Sequence, residues 1–211
     1  MSHIAQQTRN YYNANAEKYD AIHCELRPNE RKHWKLLHTY ISHREQSIKI
    51  LEAGCGTGKD VQYAQENFGY ESIGVDFSDL CIRIARKNFP HIPKDNFIVG
   101  DICDLPFQDE SFDIVRQYAS LVHMPKGEQL DMAITETHRV LRKGGFTFIL
   151  MKHGEGSGWV NTKEGLPHRF FQYHSEKDLE VLMKKYHFKI RAMQSFVGDA
   201  KQPWVYVIAQ K

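Results

Sequence analysis

Residues 51–60 read LEAGCGTGKD, and this glycine-rich stretch follows a short apolar run that begins at Ile48. Gly54, Gly56 and Gly58 fall at alternate positions, and glycine lets a backbone turn sharply or approach a ligand closely. The pattern alone is compatible with three ligands: a nucleoside triphosphate, a dinucleotide, or a smaller cofactor without phosphate. It is also compatible with a tight strand-to-helix turn that binds nothing.

Two of the three ligands require residues that this loop lacks. A triphosphate-binding loop of the G-x-x-x-x-G-K-[ST] type has its first glycine where Ala53 stands and its hydroxyl where Asp60 stands. The Asp60 carboxylate would also repel phosphates. The dinucleotide fingerprint G-x-G-x-x-G needs its third glycine at the position of Lys59. Both phosphate-binding motifs are therefore incomplete.

The composition is that of a globular chain with little net charge. The 211 residues are 41% hydrophobic, and 28 Lys and Arg against 26 Asp and Glu give a net charge of +2. This balance lacks the strong basic footprint that accompanies nucleic-acid binding. The first ten residues have no apolar signal-peptide core and no run is long enough to span a bilayer, which predicts a cytoplasmic protein without a membrane partner. The four cysteines form no C-x-x-C pair, and no metal site is expected.

Short β-rich runs alternate with helical patterns along most of the chain. Apolar residues between 127 and 141 recur at helical spacing, and Ser175 with Asp178 fits an S-x-x-D helix cap. The runs that predict strands are residues 48–53, 71–76, 96–100, 112–119 and 145–151. Such alternation predicts a parallel sheet with helices on both faces. Two final runs, FKIRAMQSFV and PWVYVIAQ, are separated by a short turn and should pair antiparallel.

Two aspartates follow the second and third predicted strands. Asp76 ends the run IGVD, and Asp101 follows the run FIVG. In an open α/β sheet the loops after the strands converge on one crevice. The Asp76 carboxylate can accept hydrogen bonds from two vicinal ribose hydroxyls, and it disfavours a phosphate on them. The glycine loop and the two acids together favour a nucleoside cofactor that lacks phosphate.

Four segments resemble, in order, the successive motifs of class I S-adenosylmethionine-dependent methyltransferases: ILEAGCGTGKD, GVDFS, GDICDLPFQDESFDIV and HRVLRKGGFTFI. They lie within residues 48–151. The earlier segment YYNANAEKYD also resembles the Y-x-x-x-A-x-x-Y-D pattern that often precedes this domain. The resemblance implies an α/β fold with a Rossmann-like, doubly wound, seven-stranded sheet, mostly parallel with one antiparallel strand near the edge.

The resemblance also implies a single domain over residues 1–211. Its parts would be a helical cap at 1–47, a cofactor-binding core at 48–151, and a substrate loop, last helix and antiparallel strands at 152–211. The cofactor would be S-adenosyl-L-methionine and its product S-adenosyl-L-homocysteine. A protein that binds this cofactor without catalysis remains an alternative.

Carried over position by position, the resemblance assigns cofactor contacts to residues at the strand ends and in the cap. Glu52 and the glycine loop would line the methionine part, Asp76 would bind the ribose, and Asp101 would accept from the adenine amino group. The full set is Tyr19, Glu52, Gly54, Cys55, Gly56, Gly58, Asp76, Phe77, Asp101, Ile102 and Gln117. A general base, where the acceptor needs one, is not identified; His123 is the candidate.

Substrate contacts are expected outside these motifs. Residues 153–175 form a long connection, and such connections in compact domains are usually functional. Within it Arg169 and Tyr173 would bind the substrate, with Arg169 holding a carboxylate; the alternative is a β-like edge whose aromatic side chains cover the sheet. A small-molecule acceptor is expected. Transfer RNA is the runner-up, because HRFFQYHSEKDLEVL and WVYVIAQ resemble the tail of methyltransferases that esterify carboxymethyl-uridine at the tRNA wobble position.

Overall fold

A β-sheet with helices on both faces organises the residues that this computed structural model describes, which are 2–43, 46–160, 169–198 and 201–211. The strands are β1 Lys49–Ala53, β2 Glu71–Asp76, β3 Phe97–Val99, β4 Phe112–Tyr118, β5 Leu141–His153, β6 Ser157–Val160, β7 Arg169–His174, β8 Lys189–Val197 and β9 Pro203–Gln210. The helices are α1 His3–His23, α2 Pro28–Thr39, α3 Lys59–Phe68, α4 Asp79–Asn88, α5 Glu128–Val140 and α6 Glu176–Lys185. Two 3₁₀ turns, Lys94–Asn96 and Leu121–His123, complete the regular structure of the described ranges.

Seven of these strands form the sheet that the sequence predicts. Their order begins β3-β2-β1-β4-β5, and all of these neighbours pair in parallel. β9 then pairs antiparallel with β5 on one side and with β8 on the other. Since β8 runs parallel to the central strands, β9 is the antiparallel member near the edge of the seven. The predicted fold class is confirmed.

β6 and β7 add a strand pair to this sheet. They pair antiparallel with each other, and β7 pairs in parallel with the last two residues of β5. Lys152 of β5 pairs with Trp204 of β9 on one side and with Tyr173 of β7 on the other. β7 therefore lies on the same side of β5 as β4 and begins to pair where β4 has ended. Two parts of the connection 153–175 are therefore strands of the sheet, and substrate binding by Arg169 and Tyr173 stays a prediction. Residues 161–168 lie outside the described ranges.

Local chemistry sets the ends of several elements. At the start of α6, Ser175 Oγ accepts the backbone N–H of Asp178 at 3.1 Å, and Asp178 Oδ2 accepts the backbone N–H of Ser175 at 2.8 Å. This is the predicted helix cap. α5 ends at Val140, and β5 begins at once with Leu141, earlier than the predicted strand start at residue 145. Leu141 is buried in the same apolar cluster as α5, which favours an immediate turn from helix into sheet.

Alternating side chains along β4 give each face of the sheet its own helices. Val115 packs with apolar residues of α5 and α6, whereas Ile114 packs with residues of α2 and α3 on the opposite face. Burial of one such side chain contributes about 1.5–3 kcal/mol. The two layers fix the carboxyl ends of β1, β2 and β4 at one rim of the sheet. Within the described ranges, no helix combines the length and apolar character needed to cross a membrane.

Candidate cofactor cleft

A cleft opens at the carboxyl ends of β1, β2 and β4, beside α1. Its empty volume, open solvent at the mouth included, is about 830 Å³. The lining residues that the sequence predicts are Tyr19, Gly54, Gly56, Asp76, Phe77, Asp101, Ile102 and His123. Those that it does not predict are Ala5, Thr8, Tyr12, Gly100, Cys103, Tyr118, Ala119, Ser120, Met124 and Gln129.

The glycine loop is constrained by its protein neighbours as well as by any ligand. At Gly54, where φ is +86°, a β-carbon would lie 2.3 Å from Cβ of Ser120. At Gly58 a β-carbon would lie 2.8 Å from the ring of Phe97, away from the residues that line the cleft. Gly54 therefore forms the cleft floor, whereas Gly58 permits close packing between the loop and the β3–α4 layer.

The Asp76 carboxylate joins the glycine loop to the start of α4. Its Oδ2 accepts the backbone N–H of Gly56 and its Oδ1 accepts that of Ser78, both at 2.9 Å. Burial raises the pKa of Asp76, while the two backbone donors favour its charged form. Asp76 is 8% exposed, so this acid is a structural anchor of the loop as well as part of the cleft wall.

Asp101 and Ile102 form the adjoining wall after β3. Asp101 Oδ1 accepts the backbone N–H of Cys103 at 2.9 Å, which fixes the carboxylate. Because β2 and β3 are paired neighbours, Asp76 and Asp101 lie at the same rim of the sheet. Phe77 lines the cleft with them.

A buried ion cluster lies beneath the glycine loop. Arg116 of β4 donates to Glu52 Oε1 at 2.8 Å and lies 2.9 Å from Asp60 Oδ1 at the start of α3. Its guanidinium also lies 4.4 Å from the ring centroid of Trp34 and 4.2 Å from that of Tyr118. Burial raises the pKa of Glu52 to about 8, against the attraction of Arg116, which favours the charged form. Glu52 supports the loop from below and is not part of the cleft lining.

α1 lies along the cleft and contributes Ala5, Thr8, Tyr12 and Tyr19 to its lining. Three of these residues are seven positions apart, so they fall on one face of the helix. Because Tyr19 is expected to line the cleft, this seven-residue spacing also predicts that Tyr12 and Ala5 line it. Asn13 Oδ1 accepts the hydroxyl of Ser78 at 2.6 Å and ties α1 to the start of α4.

His123 lines the cleft within a directed hydrogen-bond chain. Its Nδ1 lies 2.7 Å from the Phe170 carbonyl of β7, and its Nε2 lies 2.9 Å from the Tyr12 hydroxyl. A carbonyl oxygen can only accept, so Nδ1 carries the proton and Nε2 accepts from Tyr12. Arg169 Nη1 donates to the same Tyr12 oxygen at 3.1 Å. Burial lowers the pKa of His123 to about 3 and raises that of Tyr12 to about 12, so both groups are neutral near pH 7.

Several predicted residues lie outside the cleft lining. The Cys55 side chain packs against β2, since its Sγ lies 2.7 Å from where a β-carbon of Gly74 would be. Gln117 is fully buried in β4, and neither of its amide atoms has a hydrogen-bond partner within the described ranges. Tyr173 packs beside Gly154. Arg169 does not line the cleft itself, but it donates a hydrogen bond to Tyr12, which does.

Comparison with known proteins gives a consistent match to one family. A family model described as "Methyltransferase domain" matches residues 50–145. A probable phthiotriol/phenolphthiotriol dimycocerosates methyltransferase of Mycobacterium ulcerans (strain Agy99) is 33% identical over 119 residues, which cover 56% of this chain and 45% of that protein. These matches support a class I S-adenosylmethionine-dependent methyltransferase domain over residues 50–145. This confirms the resemblance carried by the four sequence motifs.

Known methyltransferases that are similar to this chain in fold or in sequence differ in their named acceptors. The 1,6-didemethyltoxoflavin-N1-methyltransferase of Burkholderia thailandensis, solved with its substrate and S-adenosylhomocysteine, has a TM-score of 0.78 at 18% identity, covering 98% of this chain and 88% of that one. A probable tRNA methyltransferase 9B of Mus musculus is 28% identical over 120 residues, 57% of this chain and 25% of that protein. The chain spans about half the length of the curated relatives it matches. The matches to known methyltransferases therefore do not identify the methyl acceptor of this chain.

Proposed function

We propose that this chain transfers the methyl group of S-adenosyl-L-methionine to a small-molecule acceptor, leaving S-adenosyl-L-homocysteine. The observation that carries the proposal is the fixed Asp76 carboxylate at the cleft. Each of its oxygens accepts one backbone N–H and keeps a further lone pair, enough to accept both hydroxyls of a ribose. The negative charge disfavours a phosphorylated ribose, which supports a nucleoside cofactor of the methionine type.

The rest of the cleft fits the other parts of this cofactor. Asp101, Ile102 and Phe77 would hold the adenine, and the glycine loop would take the methionyl end under Tyr19. Ser120 Oγ lines this end without a hydrogen-bond partner among the described residues, so it offers an unused donor. S-adenosylmethionine, when bound, supplies an activated methyl group on a sulfonium.

Glu52 and Gln117 stay proposed cofactor contacts, although neither residue lines the cleft. The Gln117 amide and Glu52 Oε2 are buried without a partner in the described part of the chain. An unpaired buried polar group costs about 1–3 kcal/mol. Glu52 lies in β1 just before the glycine loop, and Gln117 lies near the end of β4. In this proposal the charged methionyl end reduces the cost of both unpaired groups.

The chain itself contributes orientation and exclusion of water. α1 covers the cleft with Thr8, Tyr12 and Tyr19, and in-line transfer depends on holding the nucleophile in place in a dry site. With a pKa of about 3, neutral His123 is a weak base; its role in this proposal is to hold Tyr12 by accepting its hydroxyl proton in a hydrogen bond. An acceptor that presents a free lone pair needs no base.

The experiment must also distinguish two alternatives to a small-molecule methyltransferase. Transfer RNA as acceptor is supported by the tail resemblance and by the mouse relative, and opposed by the net charge of +2. A binding protein without catalysis is the other alternative. Arg169 and Tyr173 stay proposed substrate contacts in either catalytic case.

The experiment is a transfer assay with methyl-labelled S-adenosylmethionine over a fractionated metabolite extract and, separately, bulk tRNA. The proposal expects label in a small-molecule fraction, and at a cofactor concentration near the parent Kd it expects much less label with the Asp76→Ala variant. Label in tRNA alone would establish the runner-up. Cofactor binding without label in either pool would favour the non-catalytic alternative and overturn the proposal.

A further inference from the structure

Arg169, the first residue of β7, is a cation with no carboxylate partner among the residues that the structure describes. Among the described residues, the ion pairs of Arg116, Arg139 and Arg142 each include an acid within 4.0 Å, whereas Arg169 has none. Its Nη1 donates to the Tyr12 hydroxyl, and its Nε is buried without a hydrogen-bond partner within the described ranges. Because guanidinium cannot lose its proton in a protein, this positive charge is not neutralised by any acid in the described part of the chain.

Within the described ranges, the groups in contact with the Arg169 guanidinium are neutral. Its guanidinium lies 4.9 Å from the ring centroid of Tyr11, 5.9 Å from that of Tyr12 and 5.4 Å from that of Phe171. Burial keeps the Tyr12 hydroxyl protonated and the His123 imidazole uncharged. Aromatic faces attract a cation and still leave its N–H donors available to an oxygen ligand.

The position of Arg169 relates this charge to the cleft. Tyr12 and His123 line the cleft, and the guanidinium contacts Tyr12 from behind. Asp76 and Asp101 belong to the rim formed by β2 and β3, whereas Arg169 belongs to β7, which contacts α1 behind the lining residue Tyr12. A ligand that extends past the nucleoside toward α1 and β7 would therefore meet a positive charge after passing two acids.

We propose that Arg169 binds an oxyanion, a carboxylate or a phosphate, carried by the methyl acceptor. This inference rests on the proposed function and specifies its substrate class. The planar guanidinium matches two oxygens of one oxyanion, and the aromatic rings around it leave Arg169 only partly exposed to water, which strengthens the contact. Tyr12 orients the fork by accepting from Nη1.

A purely structural role is the competing explanation, in which Arg169 only ties β7 to α1 through the Tyr11 and Tyr12 rings. The two roles differ in their response to added anions. A structural arginine gives no saturable response to small oxyanions, and its loss lowers the thermal midpoint alone. An anion-binding arginine gives a saturable response that disappears with the guanidinium.

The experiment starts from the protein saturated with S-adenosylhomocysteine, with calorimetry used first to verify that this ligand binds. Potassium acetate and potassium phosphate are then titrated separately, with potassium chloride at matched ionic strength. The backbone N–H resonances of Tyr12, which contacts Arg169, and of Phe170, which follows it in the chain, report binding in the parent and in every variant. We expect saturation by at least one oxyanion with a Kd on the order of 10 mM, and binding about 10-fold or more weaker in Arg169→Gln. The acetate and phosphate arms distinguish the two acceptor chemistries.

Arg83→Gln is the matched control, because Arg83 is an exposed arginine paired with Asp79 and should leave the titration unchanged. Arg169→Lys keeps the charge without the fork, so it should fold and bind the oxyanion with intermediate strength even where Arg169→Gln is unstable. Saturation by neither oxyanion, or equal saturation in Arg169→Lys and the parent, would overturn the proposal while leaving cofactor binding intact. Failure of S-adenosylhomocysteine to bind would instead remove the proposed function, and this inference with it.

Discussion

Replacing Asp76 by alanine should weaken both the fold and the cofactor site. The carboxylate accepts the backbone N–H groups of Gly56 and Ser78 at 2.9 Å each, and hydrogen bonds to charged groups contribute about 1.5–3 kcal/mol each. The side chain lines the cleft, so water replaces part of what is lost and the lower end applies. The two bonds together give a loss of about 3 kcal/mol, equivalent to a thermal midpoint about 6–12 °C lower for a chain of this size.

The affinity change has a separate origin. Loss of an acceptor for two ribose hydroxyls should cost about 2 kcal/mol, or about 30-fold in the Kd of S-adenosylhomocysteine, and a loosened glycine loop adds to this. Asp76→Asn keeps one accepting oxygen, so we expect roughly half of the stability loss with most of the affinity loss. Urea unfolding and calorimetry measure the two quantities, with Asp79→Ala as an exposed acidic control. An Asp76→Ala protein with unchanged unfolding free energy and unchanged Kd would refute the reasoning.

Three further perturbations test other parts of the structure. Arg116→Met leaves two buried carboxylates without their cation and should lower the unfolding free energy by about 3–5 kcal/mol in urea titrations; a loss below 1 kcal/mol, at roughly the level of a surface pair, would contradict this. Gly54→Ala forces a β-carbon onto Ser120 and should weaken S-adenosylhomocysteine binding about 10-fold or more, whereas Gly69→Ala, also at positive φ but in open space, should not; equal effects in calorimetry would refute the clash. Burial lowers the pKa of His33 to about 4, so the unfolded chain binds more protons below about pH 6.5. Stability should then fall on acidification to about pH 4, by up to about 1.4 kcal/mol per pH unit for this histidine. His33→Phe should reduce that slope in urea titrations across the window, and an unchanged slope would count against it.

The sheet and the cofactor rim could be predicted because short-range chemistry encodes them. The sequence contains local patterns for both: apolar runs of period two predict the strands. The glycine loop and the strand-end acids Asp76 and Asp101 predict the cofactor rim. The start of β5 was missed because Leu141 has the spacing of a helical residue, and only its burial beside α5 decides for the strand. The sequence motif does not distinguish a Gly58 that contacts the cofactor from one that allows close packing. Its close approach to Phe97 comes from the tertiary structure.

The contacts of α1 and β7 with the cleft depend on long-range packing. Tyr12 meets His123 across 111 positions of the chain and Arg169 across 157, and no local pattern specifies such pairs. The sequence does single out Arg169 as a cation among aromatic residues. It does not reveal that Tyr12 stands between that cation and the cleft.

The central claim is that this cleft binds S-adenosylmethionine, and calorimetric titration of the purified chain tests it most directly. S-adenosylmethionine and S-adenosylhomocysteine should each bind one site per chain with a Kd in the range of about 1 μM to 1 mM usual for enzyme ligands, and NADH should give no binding heat. Heat from NADH, with none from either methionine-derived ligand, would contradict the claim.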